Sequence, residues 1–234
     1  MMRKFKRPSQ KHTPKGLAIL YEDKDILVVN KSNGLLTVST QKERDNTAYS
    51  LLNNYVKKGN TKSKNRVFIV HRLDRDTSGI LIFAKNEEAK HFLQDQWNTF
   101  TKTYIAVVHG KLAEKEGVIT SYLLENKAHR MYSAQDHKKG KYAKTGYKVV
   151  KESDKFSLLE ITLFTGRKNQ IRVHLSEKGH PVVGDKMYGR RDKSIKRLAL
   201  HAVSLTISHP FTQDNMSFKA DHPAYLRGLI SGRF

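Results

Sequence analysis

The sequence predicts an α+β fold with a mixed, mostly antiparallel sheet flanked by helices. Three observations carry that expectation: several short runs of β-branched and aromatic residues, a few helical periodicities between them, and no regular strand–helix alternation. With 234 residues the chain is long enough for one well-packed domain and too short to require two of ordinary size. One domain over residues 19–234, built as two lobes, is the expectation. Residues 1–16 carry Arg3, Lys4, Lys6, Arg7, Lys11 and Lys15 with no acid and two prolines, too little apolar surface to fold alone. Residues 1–18 are therefore assigned to a flexible basic arm.

From Ile19 the pattern is globular. Asp25–Asn30 reads as a strand, ended by a turn at Ser32-Asn33-Gly34. A helix is expected near Ala48–Val56, followed by a polar, basic loop, KKGNTKSKNR, at residues 57–66. Val67–Val70 and Ile80–Ala84 are expected strands, and between them lies HRLDRDTSGI. Asn86 is an N-cap candidate with Glu87 and Glu88 in the first turn, and Ala89, Phe92, Leu93 and Trp97 recur at helical spacing. Further strands are expected at Thr103–Val108, Gly146–Val150, Leu158–Phe164 and Leu198–Ile207, with a second basic stretch at residues 125–144. A short helix at Lys168–Lys178 should stop at Gly179, with Pro181 just beyond. No internal repeat of fixed period occurs.

Lys plus Arg total 44 against 22 Asp plus Glu, a net charge of +22 that favours a polyanionic partner, nucleic acid above all. The chain has no cysteine, which excludes disulfides, thiolate zinc sites and a cysteine nucleophile. No apolar run approaches the roughly 18 residues of a membrane span, and the basic start lacks the apolar region of a secretory signal. The cytoplasm is the expected location, or an organelle interior if that start is a transit segment. GDKMYGR, from Gly184, has P-loop glycine spacing but puts Arg190 in place of Lys and lacks the Ser/Thr that would hold magnesium. The histidines form no H-E-x-x-H or other compact ligand pair. No cofactor and no metal are expected.

The turn at residues 71–80 concentrates charge between buried strands, where a rigid scaffold presents chemistry. Asp74 lies between Arg72 and Arg75, cations that favour its ionised form if they are close in space. Taken alone, an R-L-D-R turn more often holds a carboxylate that caps local backbone. The larger pattern is more specific. VHRLDRDTSGILIFAKN, KTYIAVVHG (102–110), TGRKNQIRVHLSEKGHPVVGDKMYG (165–189) and LALHAVSLTISHP (198–210) resemble, in order, the RluA-type pseudouridine synthases.

The resemblance, from Ile19 to Pro210, implies a pseudouridine synthase catalytic fold with its cleft between two lobes. It implies isomerisation of selected uridines in ribosomal or transfer RNA without metal or organic cofactor. Asp74 is then the catalytic carboxylate, acting as covalent nucleophile or as general base on a ribose proton. Arg72 matches the arginine that fills the gap left by the flipped uridine, with a phosphate contact as its plainer reading. Tyr104 matches the tyrosine stacked on the target base, Arg172 the arginine paired with the catalytic aspartate, and Leu200 an apolar residue of the uracil pocket. His71 is expected to support the turn. Asn169 departs from the family's frequent His, a variation read as local hydrogen bonding. Many relatives carry a small RNA-binding domain ahead of the catalytic one; the basic arm and loops are expected to serve in its place. The expected partner is RNA, with no membrane and a monomeric state. The competing reading is a noncatalytic basic RNA-binding or ribosome-assembly protein, which shares the charge but has no use for an ionised carboxylate beside an RNA backbone.

Overall fold

The computed structural model describes residues 13–41, 43–134, 139–189 and 195–232. In chain order the elements are β1 (Leu17–Glu22), β2 (Ile26–Lys31), α1 (Ala48–Lys57), β3 (Phe68–Ile69), β4 (Ser78–Ala84), α2 (Glu87–Asp95) and β5 (Thr101–His109). They continue with β6 (Glu116–Glu125), β7 (Met131–Ala134), β8 (Lys141–Glu152), β9 (Phe156–Leu163), α3 (Gln170–Glu177), β10 (Leu200–Ser208), β11 (Asn215–Lys219) and α4 (Ala224–Ser231). The chain forms two compact units, one from the residues up to Phe100 with Ser204–Ala220, the other from Thr101–Val203 with the residues from Asp221.

In the first unit β1 pairs with β2, β2 with β4 and β3 with β4, all antiparallel, and the end of β10 pairs with β11. The Ile-Leu-Val-Val run of β2 and all seven residues of β4 are buried, as strands covered on both faces must be. Asp23 makes the β1–β2 turn: its Oδ1 accepts the N–H groups of Asp25 (2.8 Å) and Ile26 (2.7 Å), an Asx turn. Both helices have side-chain caps, Thr47 to Ser50 N and Asn86 to Ala89 N. Helix α2 buries Ala89 and Leu93 but stops at Asp95, so Trp97 lies past its end and packs against Phe100 instead, with ring centroids 6.1 Å apart.

The second unit is an antiparallel sheet in the order β5-β9-β8-β6-β7. Helix α3 lies on one of its faces, where Val173 packs with Leu123, Met131, Ala143 and Tyr188, and α4 packs on β5 and β9. A Schellman motif ends α3: Gly179 N bonds Ser176 O and His180 N bonds Leu175 O, with Gly179 at φ +87°.

Five elements go beyond the sequence expectation: β1, β6, β7, β11 and α4. The stretch read only as basic, 125–144, holds β7 and the start of β8. The arm boundary moves as well. Leu17 is buried and pairs with Lys31, and Ala18 pairs with Asn30, so both belong to the sheet; residues 1–12 of the expected arm lie outside the described residues.

Candidate active site

Asp74 sits on the connection between β3 and β4, and the main chain on either side of it is bonded to the segment that follows β2. Gly34 N donates to Arg75 O (2.9 Å), and Asn33 Nδ2 donates to Asp76 O. Thr37 Oγ1 donates to Leu73 O (2.8 Å) and accepts from Leu73 N (3.1 Å). Lys31 completes this clamp: its side chain is fully buried, and Nζ donates to Leu35 O (2.7 Å), Ser32 O (3.1 Å) and Arg75 O (3.2 Å). Burial pushes the Lys31 ammonium down to about 8, against the pull of Asp76 and Asp74. Within the turn Thr77 N closes on Asp74 O (3.1 Å). These bonds reach the backbone and fix where Asp74 starts.

The neighbours on the turn divide the work. His71 accepts the N–H of Ile82 at Nε2 (3.2 Å) and stacks on Trp97 with ring centroids 4.2 Å apart, the supporting role expected of it. Arg75 Nε donates to Gly34 O (3.1 Å), and Nη2 lies 3.6 Å from Glu43. Arg72 is exposed, Leu73 is buried beneath it, and Asp74 is half-buried.

Tyr104, Arg172 and Leu200 belong to the second unit. Tyr104 lies on β5 opposite Ile161, which lies opposite Tyr147 on β8, so the three share one sheet face. Thr145, two residues before Tyr147, bonds from that face to His174 and Gln170 of α3. Tyr104 and α3 are therefore on the same side of the sheet. The His174 ring is bracketed by Thr145 Oγ1 and Ser121 Oγ, both at 2.9 Å, and burial holds it below the usual histidine range, hence neutral at pH 7. Leu200 is buried at the start of β10.

Arg172 is held by a residue not singled out as a site residue. Its Nε and Nη2 fork onto Asp185 Oδ2 (2.7 Å) and Oδ1 (2.8 Å), with both partners buried. Asp185 Oδ1 also accepts the N–H groups of Met187 and Tyr188, each at 2.9 Å. Burial alone would raise the Asp185 pKa; the Arg172 bonds and charge, with the two N–H groups, outweigh it and set the carboxyl below its ordinary value. The glycines that imitate a P-loop serve this turn. A Cβ on Gly184 (φ +75°) would lie 2.1 Å from Arg197 O, and one on Gly189 would lie 2.4 Å from Asp185 O. Asn169 precedes α3 at φ +52°, a left-handed conformation that Asn tolerates. Its Oδ1 accepts from the hydroxyl of Tyr188 (3.4 Å), whose ring lies 5.1 Å from the Arg172 guanidinium.

One cluster among the described residues has metal-like geometry: Asp23, Asp25 and His209, with ligand atoms within 4.8 Å of one another. The hydrogen bonds argue against a cation there. His209 Nδ1 accepts the N–H groups of Phe211 (3.3 Å) and Thr212 (3.2 Å), so the ring proton is on Nε2, which donates to Asp23 Oδ2 (2.9 Å). A nitrogen carrying that proton has no lone pair for a metal; the cluster ties the end of β10 to the β1–β2 turn.

The elements define an α+β fold, and comparison with known proteins specifies its class. Residues 25–177 match the RNA pseudouridylate synthase family. The chain is 37% identical over 226 residues to Uncharacterized RNA pseudouridine synthase YhcT of Bacillus subtilis, covering 93% of this chain and 72% of that protein. It is 35% identical over 212 residues to Dual-specificity RNA pseudouridine synthase RluA of Yersinia pestis, covering 88% of this chain and 98% of that one. The solved structure of Human RNA Pseudouridylate Synthase Domain Containing 1 superposes with a TM-score of 0.73 at 29% identity, covering 88% of this chain and 84% of that one. The chain belongs to the RNA pseudouridine synthase family and is an isomerase of RNA modification.

Proposed function

We propose that this enzyme converts selected uridines of ribosomal or transfer RNA to pseudouridine, with Asp74 as its catalytic carboxylate and Arg72, Tyr104, Arg172 and Leu200 as substrate-binding side chains. The observation that carries the reading is the clamp around Asp74, which holds the main chain on both sides of that residue. Preorganisation of this kind supports chemistry at a fixed point. The reaction is balanced without a co-reactant: the bond from ribose C1′ to N1 breaks, the uracil turns, C1′ bonds to C5, and the C5 proton is lost as N1 gains one. An ionised Asp74 serves it by attacking C1′ or by removing a ribose proton.

The uridine must leave its stack first. Exposed Arg72, two residues before Asp74, suits the space it vacates, while Tyr104 supplies a ring for the base and Leu200 an apolar wall. Arg172 enters with its orientation already set by Asp185. The choice of ribosomal or transfer RNA is supported by the dual-specificity name of the Yersinia relative. In this reading the enzyme works as a cytoplasmic monomer; among the described residues, no helix is long and apolar enough to cross a membrane. Pseudouridine mapping of RNA from cells with the protein, without it, and with Asp74→Asn tests the proposal. One or more sites should vanish in both the second and third, whereas sites retained with Asp74→Asn would remove Asp74 from the chemistry.

A further inference from the structure

The sheet of the second unit has two unlike faces. Against the face that carries α3 and Tyr104 stands another on which Tyr122 of β6 meets Tyr142 of β8, ring centroids 5.7 Å apart and edge to face. Two residues on from Tyr142, Lys144 holds its ammonium 4.7 Å from the ring centre of Phe164. Tyr132 of β7, opposite Leu124, shares that side. Three of these four rings are largely open to solvent: Tyr132 is 43% exposed, Tyr142 44% and Phe164 43%. Such a cluster of exposed aromatics marks a contact surface.

Two glycines shape its floor. A Cβ on Gly140 would come within 2.6 Å of Tyr122 Cβ, and one on Gly146 within 3.1 Å of Phe164 Cε2. Without them the rings rest close on the backbone and present their outer surfaces. Charge is distributed along the same face. Lys144 stands among the rings, and Arg167, whose Nε donates to Tyr142 O (3.0 Å), stands at their border. The acids of this side, Glu116 and Glu160, flank Lys148 in the cross-strand register. Glu116 is six residues from Tyr122 along β6, roughly 20 Å away at strand rise. Rings with cations beside them suit a polyanion with flat apolar bases, and the chain's charge of +22 favours the same occupant.

We propose that this face is a second RNA contact, which takes unpaired nucleotides flanking the target uridine. Bases stack on Tyr142 and Phe164, and the ammonium of Lys144, displaced from the Phe164 ring, meets the adjacent phosphate together with Arg167. The proposal rests on the RNA-modifying reading above but needs no isomerisation to be tested.

The probe is a fluorescein-labelled oligouridylate of twelve nucleotides, titrated against the full chain by anisotropy. Tyr142→Ala with Phe164→Ala should weaken binding about tenfold or more, the order expected when bases lose aromatic partners. Tyr142→Phe with Phe164→Tyr should bind within about twofold of wild type, since both keep a π-face. The slope of log affinity against log salt should hold in the aromatic variants and fall by about 0.7 in Lys144→Gln. A 4-thiouridine version of the probe should crosslink to β8 or Phe164 in the unmodified protein, which decides the matter even if the alanine variant fails to fold. Unchanged affinity in a folded alanine variant, or crosslinks confined to other segments, would overturn the proposal. Those results would leave the assignment of Asp74 standing; an inactive enzyme whose probe still crosslinks to this face would remove the assignment and keep the contact.

Discussion

The turn that bears Asp74 and the helix that bears Arg172 hold their charged residues in opposite ways. Around Asp74 the bonds from Lys31, Asn33, Gly34 and Thr37 reach main-chain atoms of the turn. At α3 the scaffold bond is the side chain itself, with two guanidinium nitrogens committed to a buried carboxylate. The turn is fixed through its main chain, and the helix through a buried ion pair. The two regions should therefore fail differently.

The largest effect on stability is expected at α3. Asp185→Ala removes the bidentate carboxylate from a buried guanidinium, a loss of roughly 3–5 kcal/mol for a broken buried pair, read from urea unfolding. A loss under about 1 kcal/mol would mean that the Asp185 pair is not what holds α3. The pH dependence has a definite sign. Because the folded pKa of Asp185 is depressed, its contribution is complete above about 3.8 and is lost as pH falls through the lowered value. Asp185→Asn should remove that acid-side loss from the unfolding profile.

Next in size is the clamp. Lys31→Met strips three carbonyls, the buried Leu35 O among them, of a donor and should cost about 1–3 kcal/mol, with single-turnover isomerisation falling further than RNA affinity. Its pH signature has the same sign as that of Asp185 but falls in an alkaline window. Between about 8, the folded value, and 10.5 the unfolded state holds the proton more tightly, so this group's contribution to stability rises with pH. The stability gap between wild type and Lys31→Met should widen over that window, and a constant gap would show that Lys31 does not titrate there.

The smallest effect separates roles on the turn itself. Arg72→Ala should slow isomerisation about tenfold more when the uridine is paired or stacked than when it lies in a loose loop, because unstacking costs a few kcal/mol. Equal losses on both RNAs would reduce Arg72 to a phosphate contact.

The sequence was most legible where signals are local. The Asn86 cap and the Gly179 stop are set by neighbours a few residues away, and both appear as expected; β4 starts at Ser78, two residues ahead of the expected Ile80. Trp97 continued a helical spacing but lies beyond α2, since packing on Phe100 and His71 does not require the helix to continue. Lys31 was passed over because a lysine next to Ser32-Asn33-Gly34 reads as a solvated turn residue, and only the approach of Arg75, 44 positions later, supplies the carbonyl that helps bury it. Asp185 lies inside a glycine spacing that imitates a P-loop; its role depends on Arg172 thirteen residues earlier and on Gly184 fitting against Arg197. Strand β7 was hidden by the surrounding cations, which carry no period of their own.

The central claim of the proposed function is that Asp74 performs the chemistry from a turn whose main chain is clamped on both sides. Isomerisation replaces the C5–H bond of uridine, so tritium on C5 is released to water as product forms. The most direct measurement follows that release from 5-tritiated-uridine RNA, prepared from cells lacking the protein, in parallel with RNA affinity and unfolding for wild type and Asp74→Asn. The account predicts a folded variant with RNA affinity unchanged and release lowered by about 10²- to 10⁴-fold, the range of a lost general base. Release by Asp74→Asn within tenfold of wild type would contradict it.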